Sequence, residues 1–494
     1  MKKKIRVRFA PSPTGALHIG SLRTALYNFL YAKQNNGDFI LRIEDTDKKR
    51  YIKNSIDYIL KSFKWCGINY NEGFKKKGLY KPYLQSKRTK IYKKYIKFLI
   101  KKKLAYFCFD SKKNLIKYKK KKKNFIYNSL NRNFLKNSLN KNLNKKKIKK
   151  LIKKKKYVIR IKTPKNTIIS FKDIIYGKIK INTNKIDDKI IFRKNLPTYH
   201  LASVIDDHLM KISHVIRGKE WISSTPLHIL IYNFFKWKIP NFAHLPLLLN
   251  YTGGKISKRF KNDKIPIHPI KYISKYIKIK NSYEEKGFLP EAFFNILALL
   301  GWSPSNKVIL NKKKIIKLFS LKQINKSDIH LNFSKFCWIN QQYIKKNKKI
   351  KKKLYIYLKK KIKNFKIKIK KSKIKKIINL TKNRISLIND IWDLNYYFFL
   401  NPKKFYISKE FKKKIIKNKI LIINFFKKFK KQIIKNKKKI KNFLFKKIKN
   451  VFLFKILRIS IVGKLIGINI IDLLYIIKKK VIIKRINFFI DFFF

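Results

Sequence analysis

The sequence predicts an α/β fold for the first part of the chain, interrupted by an inserted α+β segment, and an all-α fold for the remainder. Up to about residue 90, short apolar strands alternate with helical patterns, as at residues 5–9 and again at residues 39–43. Between them, residues 21–33 place apolar side chains on one helical stripe. The alternation returns over residues 190–250, and from about residue 260 the pattern is mainly helical.

The segment between the two alternating regions differs from both. Residues 93–157 are rich in lysine and weakly patterned, whereas residues 158–181 have the pattern of strands joined by turns. Later in the chain, more than half of residues 345–376 are lysine. That stretch is either a strongly basic amphipathic helix or partly disordered, and the regular recurrence of apolar residues favours the helix.

The charge balance narrows the class of partner. The 494 residues include 128 Lys and Arg against 23 Asp and Glu, a formal net charge of +105. Such a field favours polyanions and would also attract a membrane surface, although most lysines are expected to be solvated residues without an individual role. Three widely spaced cysteines imply no disulfide framework and fit a reducing compartment. With no secretory signal and no apolar run of membrane-spanning length, we expect a cytoplasmic protein without a membrane partner.

The most informative stretch is residues 8–20, which lead from an apolar strand through two prolines and a glycine into a helix. His18 and Gly20 stand at the start of that helix, where free backbone N–H groups and a partial positive charge suit phosphate. A glycine lets the phosphate approach the backbone, and a histidine can donate to a phosphoryl oxygen. These residues therefore predict a nucleotide site.

The string Arg-Phe-Ala-Pro-Ser-Pro-Thr-Gly-Ala-Leu-His-Ile-Gly from Arg8 resembles the first signature of class I aminoacyl-tRNA synthetases, in the wording of the glutamyl-tRNA synthetases. The block Tyr-His-Leu-Ala-Ser-Val-Ile-Asp-Asp-His-Leu-Met from Tyr199 extends the resemblance, which is strong to about residue 345 and thin after it. Glutaminyl-tRNA synthetases have a different sequence around the first signature, which argues against membership of that group. The family has His, Gly or Asn at the fourth place of the helix-start motif, where this chain has Ser21.

The resemblance implies a Rossmann-type nucleotide-binding catalytic domain with an inserted α+β domain, followed by all-α C-terminal tRNA-binding domains. It divides the chain into the two halves of the catalytic domain at 1–92 and 198–260, an inserted acceptor-end-binding domain at 93–197, a helical stem-contact domain at 261–345 and a lysine-rich helical anticodon-binding domain at 346–494. It also implies ATP-binding residues in the first signature, namely Pro11, Thr14, Gly15, His18, Gly20 and Ser21.

Lys-Ile-Ser-Lys-Arg at residues 255–259 resembles the second signature of the family. Two lysines three residues apart on a loop can neutralise the charge that builds on a leaving pyrophosphate. Ile-Ser-Lys recurs at 273–275 and 407–409, but only the first copy follows a Gly-Gly hinge and an apolar segment. We therefore expect Lys255, Ser257 and Lys258 to bind ATP, with both lysines acting alongside His18 in catalysis.

The amino-acid pocket requires arginine, because a guanidinium pairs with a carboxylate at two points. Arg8 and Arg217 both lie at the ends of predicted strands, Glu44 can hold an ammonium group, and Tyr199 can donate to a carboxylate oxygen. Each could singly be a surface ion pair or a core residue. Together they match the glutamate-binding positions of the family, which also include Ser12 and, more weakly, Ser203.

Metal sites have a weaker signal. Asp206-Asp207-His208 could hold a metal, but a strand-end carboxylate pair that orders the pocket is the favoured interpretation. Trp221 could equally pack near the adenine of a bound ATP or lie in the hydrophobic core. Some relatives carry Cys-x-Cys and a later Tyr-x-Cys in the inserted domain. Here Cys108 stands without those partners, so we expect no structural zinc.

The resemblance implies a monomeric enzyme that joins L-glutamate to tRNA(Glu) through a glutamyl adenylate, with ATP and Mg²⁺ as cofactors. An enzyme that also charges tRNA(Gln) is one alternative, because the anticodon-reading positions fall where the resemblance is weakest. A short glutamyl-transferring paralogue of these enzymes, which lacks an anticodon domain, does not fit the length of the chain. A nucleotidylyltransferase fits neither that length nor the amino-acid pocket. A catalytically decayed basic RNA-binding protein is the alternative from another class, and the intact signatures oppose it.

Overall fold

The computed structural model describes residues 4–110, 115–116, 118, 120, 125–132, 145–154, 157–250, 254, 265–304, 308–367, 369–435, 444 and 451–494. The chain divides into two compact units. One comprises Met1–Glu285 and Pro290–Phe336, and the other comprises Lys286–Leu289 and Cys337–Phe494. Every helix in the described part of the chain is too short or too polar to cross a membrane.

The described strands and helices up to residue 346 are numbered here in chain order. The strands are β1 Arg6–Phe9, β2 Asp38–Leu41, β3 Glu72–Gly73, β4 Ala105–Cys108, β5 Val158–Ile161, β6 Ile168–Asp173, β7 Gly177–Asn182, β8 Ile190–Arg193, β9 Leu196–Pro197, β10 His214–Gly218, β11 Asn241–Leu245, β12 Leu248–Leu249, β13 Tyr272–Ile273, β14 Lys278–Ile279 and β15 Ile329–His330. The α-helices are α1 Ile19–Gln34, α2 Ser55–Cys66, α3 Thr89–Lys101, α4 Lys145–Lys153, α5 Tyr199–Leu209, α6 Thr225–Phe234, α7 Tyr283–Lys286, α8 Pro290–Ala298, α9 Lys312–Leu318 and α10 Phe333–Lys346.

Parallel strands form the centre of the first unit. β1 pairs with β2, β2 with β3, and β10 with β11. β1 adjoins β10, because the backbone N–H of Ser213 donates to the Arg6 carbonyl at 2.9 Å. Joined in this way, the two groups of strands run in the order β3-β2-β1-β10-β11, which is that of a Rossmann-type sheet and confirms the predicted fold class. Ligands bind such sheets at the carboxyl ends of the strands, where β1, β2 and β10 deliver Arg8, Glu44 and Arg217.

Helix α1 is buried along most of its length. The stripe predicted for residues 21–33 is confirmed, since Leu22, Leu26 and Leu30 are fully buried. Each buried leucine contributes about 1.5–3 kcal/mol by leaving water. The helix begins two residues earlier than the apolar pattern predicts because a side chain caps it at His18.

The inserted range contributes to two different sheets. β4, β5, β8 and β9 form an antiparallel sheet of their own. The hairpin of β6 and β7 instead joins the central parallel strands, where Asp173 at the end of β6 pairs with Phe242 of β11 in parallel register. The backbone N–H of Ile174 continues this join by donating to the Phe242 carbonyl at 2.8 Å. The range is thus tied to the half of the sheet that carries β10.

The described part of the second unit is helical, in agreement with the all-α expectation. After α10 its helices are α11 Ile350–Asn364, α12 Lys371–Thr381, α13 Asp390–Asp393, α14 Lys409–Lys417, α15 Lys419–Lys435, α16 Val451–Val462, α17 Ile470–Ile476 and α18 Lys479–Phe493. The lysine-rich stretch at 345–376 is helical, as favoured, but it forms parts of three helices rather than one. In α11 the buried residues Leu354, Leu358 and Ile362 recur every fourth position, which leaves the lysines on the outer faces.

Candidate active site

His18 caps α1 and thereby fixes its own protonation pattern. Its Nδ1 accepts hydrogen bonds from the backbone N–H groups of Gly20 at 3.1 Å and Ser21 at 3.4 Å. A ring nitrogen that accepts carries no proton, so the neutral ring is protonated at Nε2, which lies 3.1 Å from the Ser21 hydroxyl. Nε2–H is therefore the donor that His18 can offer to a phosphoryl oxygen.

Two glycines shape the loop before and at this cap. At Gly20 a Cβ would stand 3.0 Å from Cε1 and 3.1 Å from Nδ1 of His18, so a larger residue would crowd the folded-back imidazole. Gly15 has a φ of 122°, a conformation that other residues rarely adopt, and its N–H donates to the Ser55 hydroxyl at 3.2 Å. The glycines thus serve the histidine cap and the turn, in addition to any close approach of a phosphate.

Arg42 lies at the centre of a buried charge network. Its fully buried guanidinium donates to Asp207 Oδ1 at 2.7 Å and to Glu44 Oε1 at 3.1 Å. Asp207 Oδ1 also accepts from Arg8 Nε at 2.9 Å. Burial acts to raise the pKa of Asp207, but Arg8 and Arg42 outweigh it and hold that pKa below its ordinary value. At Glu44 burial dominates and raises the pKa to about 7, against the opposing effect of Arg42 and Arg8.

Arg217, in strand β10, is held by neutral groups. Its Nε donates to His244 Nε2 at 3.1 Å and its Nη2 donates to the Thr225 hydroxyl at 2.8 Å. Nη1 donates to the Tyr199 hydroxyl and to His228 Nδ1, both at 3.2 Å. Burial lowers the pKa of both imidazoles, so they are neutral acceptors. Among its bonds in the described part of the chain, Arg217 has no carboxylate.

One cavity of about 380 Å³ joins these groups. Of the site residues predicted from the sequence, its lining contains Arg8, Pro11, Ser12, Thr14, His18, Gly20, Ser21, Glu44, Tyr199 and Arg217. Ser203 does not line it but lies behind Arg42, whose Nη2 is 3.4 Å from the serine hydroxyl. Gly15 is likewise outside the lining. The predicted residues Lys255, Ser257 and Lys258 lie outside the described residues.

The cavity wall also contains residues outside the predicted set of site residues. Trp221 lies against Tyr199, with the ring centroids 4.3 Å apart, so it belongs to the wall rather than to the core. Arg23, Arg50 and Glu220 complete the charged part of the lining.

Asp206 and Asp207 lie on helix α5, so the expectation that they end a strand is wrong. Both are buried and both bind arginine, with Asp206 Oδ1 accepting from Arg88 Nε at 2.7 Å. They order the wall of the site, as the favoured interpretation had it. The His208 ring faces elsewhere and stacks on Trp237 at 3.7 Å between centroids. Within the described residues, no group of three or more His, Cys, Asp or Glu side chains could hold a metal ion.

A basic groove adjoins the cavity and has a volume of about 710 Å³. It shares Ser12, Glu44, Arg50 and Tyr199 with the cavity, so the two are continuous. Its cationic lining comes from the loop after β2 and from the inserted antiparallel sheet, and consists of Lys48, Lys49, Arg50, Arg160, Lys189, Arg193 and Lys194.

Cys108 forms part of a hydrogen-bonded cluster in the inserted range. Its Sγ lies 3.3 Å from the Tyr127 hydroxyl, which donates to Asp110 Oδ2 at 3.0 Å. The Arg160 guanidinium lies 4.0 Å from the centre of the Tyr127 ring. Burial raises the pKa of the Cys108 thiol. That no zinc binds here stays a prediction.

Comparison with known proteins places this geometry in a family. The model of the family tRNA synthetases class I (E and Q), catalytic domain, matches residues 4–338, and the model of an anticodon binding domain matches residues 350–490. The glutamate–tRNA ligase of Bacteroides thetaiotaomicron is 40% identical over 423 residues, covering 84% of this chain and 82% of that protein. The glutamate–tRNA ligase of Flavobacterium psychrophilum is 39% identical over 505 residues, covering 99% of each.

Solved structures agree with the sequence relatives. A crystal structure of a glutamate tRNA ligase from Elizabethkingia meningosepticum, in complex with its amino acid, superposes with a TM-score of 0.85 at 39% identity and covers 100% of both chains. The glutamate–tRNA synthetase of Elizabethkingia anophelis superposes with a TM-score of 0.84 at 40% identity, covering 99% of this chain and 100% of that one. By sequence over most of its length and by fold over all of it, this chain belongs to the glutamate–tRNA ligases of the class I tRNA synthetase family.

Proposed function

We propose that this chain joins L-glutamate to tRNA(Glu) in two steps. The observation that carries the proposal is that one cavity is lined both by the buried arginines and by the histidine-capped start of α1. In the first step an α-carboxylate oxygen of glutamate bonds to the α-phosphorus of ATP, and the bond to pyrophosphate breaks. In the second step a terminal ribose hydroxyl of the tRNA bonds to the glutamyl carbonyl carbon, AMP leaves, and the hydroxyl proton passes to solvent.

The amino acid is held by charge complementarity. Arg217 and Arg8 receive the side-chain carboxylate, with the Tyr199 hydroxyl as a further donor, because a guanidinium binds a carboxylate at two points. Glu44 lines the same cavity and receives the ammonium group. Ser12 lines the same cavity, and Ser203 supports these groups through Arg42.

The nucleotide is held by the loop of residues 11–21. His18 Nε2–H and the start of α1 face the phosphates, and Pro11, Thr14, Gly15, Gly20 and Ser21 shape the surface against which ATP lies. Lys255 and Lys258, with Ser257, neutralise the leaving pyrophosphate. ATP enters as its Mg²⁺ complex, in which the phosphates supply much of the coordination that Mg²⁺ requires. The chain's own part is therefore to position two anions and to stabilise the charge that develops between them.

The tRNA is held by the rest of the molecule. The basic groove beside the cavity supports an acceptor-end role for residues 93–197, because its cations can follow a phosphate backbone to the shared residues Glu44 and Tyr199. Residues 261–345 contact the stem and residues 346–494 bind the anticodon, following the division of the chain given above. We propose a monomer that works in the cytoplasm.

Aminoacylation with labelled glutamate tests the function directly. Purified protein is given ATP·Mg²⁺, glutamate and either tRNA(Glu) or tRNA(Gln), and glutamine and aspartate serve as competing amino acids. We expect charging of tRNA(Glu) with glutamate and none with glutamine. Charging of tRNA(Gln) with glutamate as well would identify the enzyme as non-discriminating, and no charging of either tRNA would contradict the proposal.

A further inference from the structure

Arg217 is the one arginine of the proposed glutamate pocket whose described bonds go only to neutral acceptors. Arg8 is bonded to Asp207, so its charge is largely compensated within the protein. The partners of Arg217 are a threonine, a tyrosine and two histidines. This difference makes Arg217 the stronger attractor for an added carboxylate, provided that both histidines remain acceptors.

The protonation pattern of His244 follows from its neighbours. Its Nδ1 lies 2.7 Å from Asp173 Oδ2, and a carboxylate oxygen only accepts, so Nδ1 carries the proton. Nε2 is then a lone-pair acceptor for Arg217 Nε–H at 3.1 Å. The Thr225 hydroxyl, which is also 3.1 Å from Nε2, gives its proton to the Trp221 carbonyl at 2.9 Å and does not compete.

Asp173 is itself fixed in orientation. Its Oδ1 accepts from the backbone N–H groups of Ile175 at 2.9 Å and Tyr176 at 3.0 Å, which leaves Oδ2 for His244. Asp173 and His244 are both buried and neither lines the cavity, so neither touches the substrate. The nearest other charges are Arg217 and Glu220, whose fields act on His244 in opposite directions.

We propose that Asp173 and His244 are positioning residues for glutamate selection, which hold Arg217 in place as an uncompensated cation by presenting it with a neutral imidazole acceptor. This inference rests on the proposed function. Glutamate gains a full charge interaction with Arg217, whereas the neutral amide of glutamine does not. His228 completes the arrangement, because its Nδ1 accepts from Arg217 Nη1 and leaves Nε2–H directed at His200 Nδ1, 3.1 Å away.

Asp173→Asn tests this with almost no change in shape. The amide oxygen must take the place of Oδ1, since that place faces two backbone N–H groups, and so the amide NH₂ faces His244 Nδ1. His244 Nδ1 then becomes the acceptor and Nε2 carries the proton. The Nε2–H group of His244 would face the Nε–H group of Arg217, so the hydrogen bond between them is lost. We expect the glutamate KM to rise roughly tenfold or more while kcat and the ATP KM change little, and the preference for glutamate over glutamine to fall.

Asp188→Asn is the matched control. Asp188 is a fully buried aspartate of the same inserted range, is bonded to Arg132 and Thr163, and does not line the cavity. We expect it to leave the glutamate KM close to that of the wild type, because the Asp188 side chain does not line the cavity and holds none of the residues bonded to Arg217. An equal rise in both variants, or an unchanged KM in Asp173→Asn, would overturn the positioning role.

Thermal unfolding shows whether the Asp173→Asn variant folds. Two variants of His244 test the same inference without depending on that outcome. His244→Gln retains a carbonyl acceptor for Arg217 and an N–H for Asp173, whereas His244→Leu retains neither. The glutamine variant should stay close to wild type in glutamate KM and the leucine variant should not; equal KM values would overturn the inference. Failure of the wild-type chain to charge tRNA with glutamate would instead contradict the proposed function.

Discussion

Arg42 and Glu44 stand two residues apart just beyond strand β2, and the Arg42 guanidinium donates to Glu44 Oε1 at 3.1 Å. The same guanidinium bonds Asp207, which in turn holds Arg8. One fully buried side chain thus aligns the proposed ammonium-binding carboxylate and one of the two carboxylate-binding arginines. The site is built around an arginine that does not line the cavity itself.

Arg42→Ala should destabilise the protein strongly, because it leaves the buried carboxylates Glu44 and Asp207 without a shared partner. Breaking a buried ion pair from one side costs about 3–5 kcal/mol. Urea denaturation measures the change in the free energy of unfolding. Lys271→Ala, which removes a half-exposed pair with Glu285, should cost less than about 1 kcal/mol and serves as the control. Similar losses from both variants would mean that the buried network is not a source of stability.

Glutamate binding should strengthen as the pH rises through about 7, because burial raises the pKa of Glu44 to about 7. Below that pH the carboxyl is protonated and neutral, and it cannot pair with the ammonium group. Above it the carboxylate is ionised and the pair forms. The glutamate KM, measured at several pH values on either side of the Glu44 pKa, should therefore fall as the pH rises. Glu44→Gln should raise the KM and remove the slope, and persistence of the slope in that variant would assign the titration to another group.

Lys258→Ala should lower the rate of glutamate activation by roughly 10²-fold or more, as expected when one transition-state charge contact is lost. Its tRNA affinity should survive. Lys275 occupies the second Ile-Ser-Lys copy and is exposed, so Lys275→Ala should change the rate little. Glutamate-dependent exchange of pyrophosphate into ATP, in the presence of tRNA, measures both. Equal losses would show that the wrong copy was selected.

The affinity for tRNA should fall steeply with salt if residues 345–494 contact the phosphate backbone. Each phosphate that the protein neutralises makes the slope of log affinity against log salt more negative by about 0.7–0.9. Titrations of the full chain and of a chain ending at residue 344, at several salt concentrations, compare the slopes. The truncated chain should bind orders of magnitude more weakly and with a shallower slope. Equal affinities would mean that the lysines of this region are solvated and make no contact.

Sequence reasoning succeeded where the chemistry is local. His18, Gly20 and Ser21 are neighbours in the chain, and their pattern predicts a helix start that the structure contains, although the capping role of His18 was not predicted. The carboxyl ends of β1, β2 and β10 converge because the sheet is parallel, so Arg8, Glu44 and Arg217 line the same cavity. The alternative of a catalytically decayed protein is not favoured by this arrangement or by the relatives.

Sequence reasoning could not find the supporting residues, because their partners are distant in the chain. Arg42 meets a carboxylate 165 positions away and His244 meets one 71 positions away. Neither belongs to a periodic pattern or a short motif. A lone buried histidine or arginine is compatible with many surroundings, and only the register of β6 against β11 brings Asp173 to His244.

The hairpin of β6 and β7 limits which segments of this enzyme can be exchanged with those of a relative. It is inserted between the two halves of the catalytic fold along the chain, yet its last strand residue, Asp173, supports the selection of the amino acid from inside the catalytic sheet. Exchange of residues 93–197 between relatives would therefore transplant a supporting part of the proposed amino-acid pocket along with the proposed acceptor-end surface. A chimera that aims to alter tRNA preference alone has to leave this hairpin in its native host.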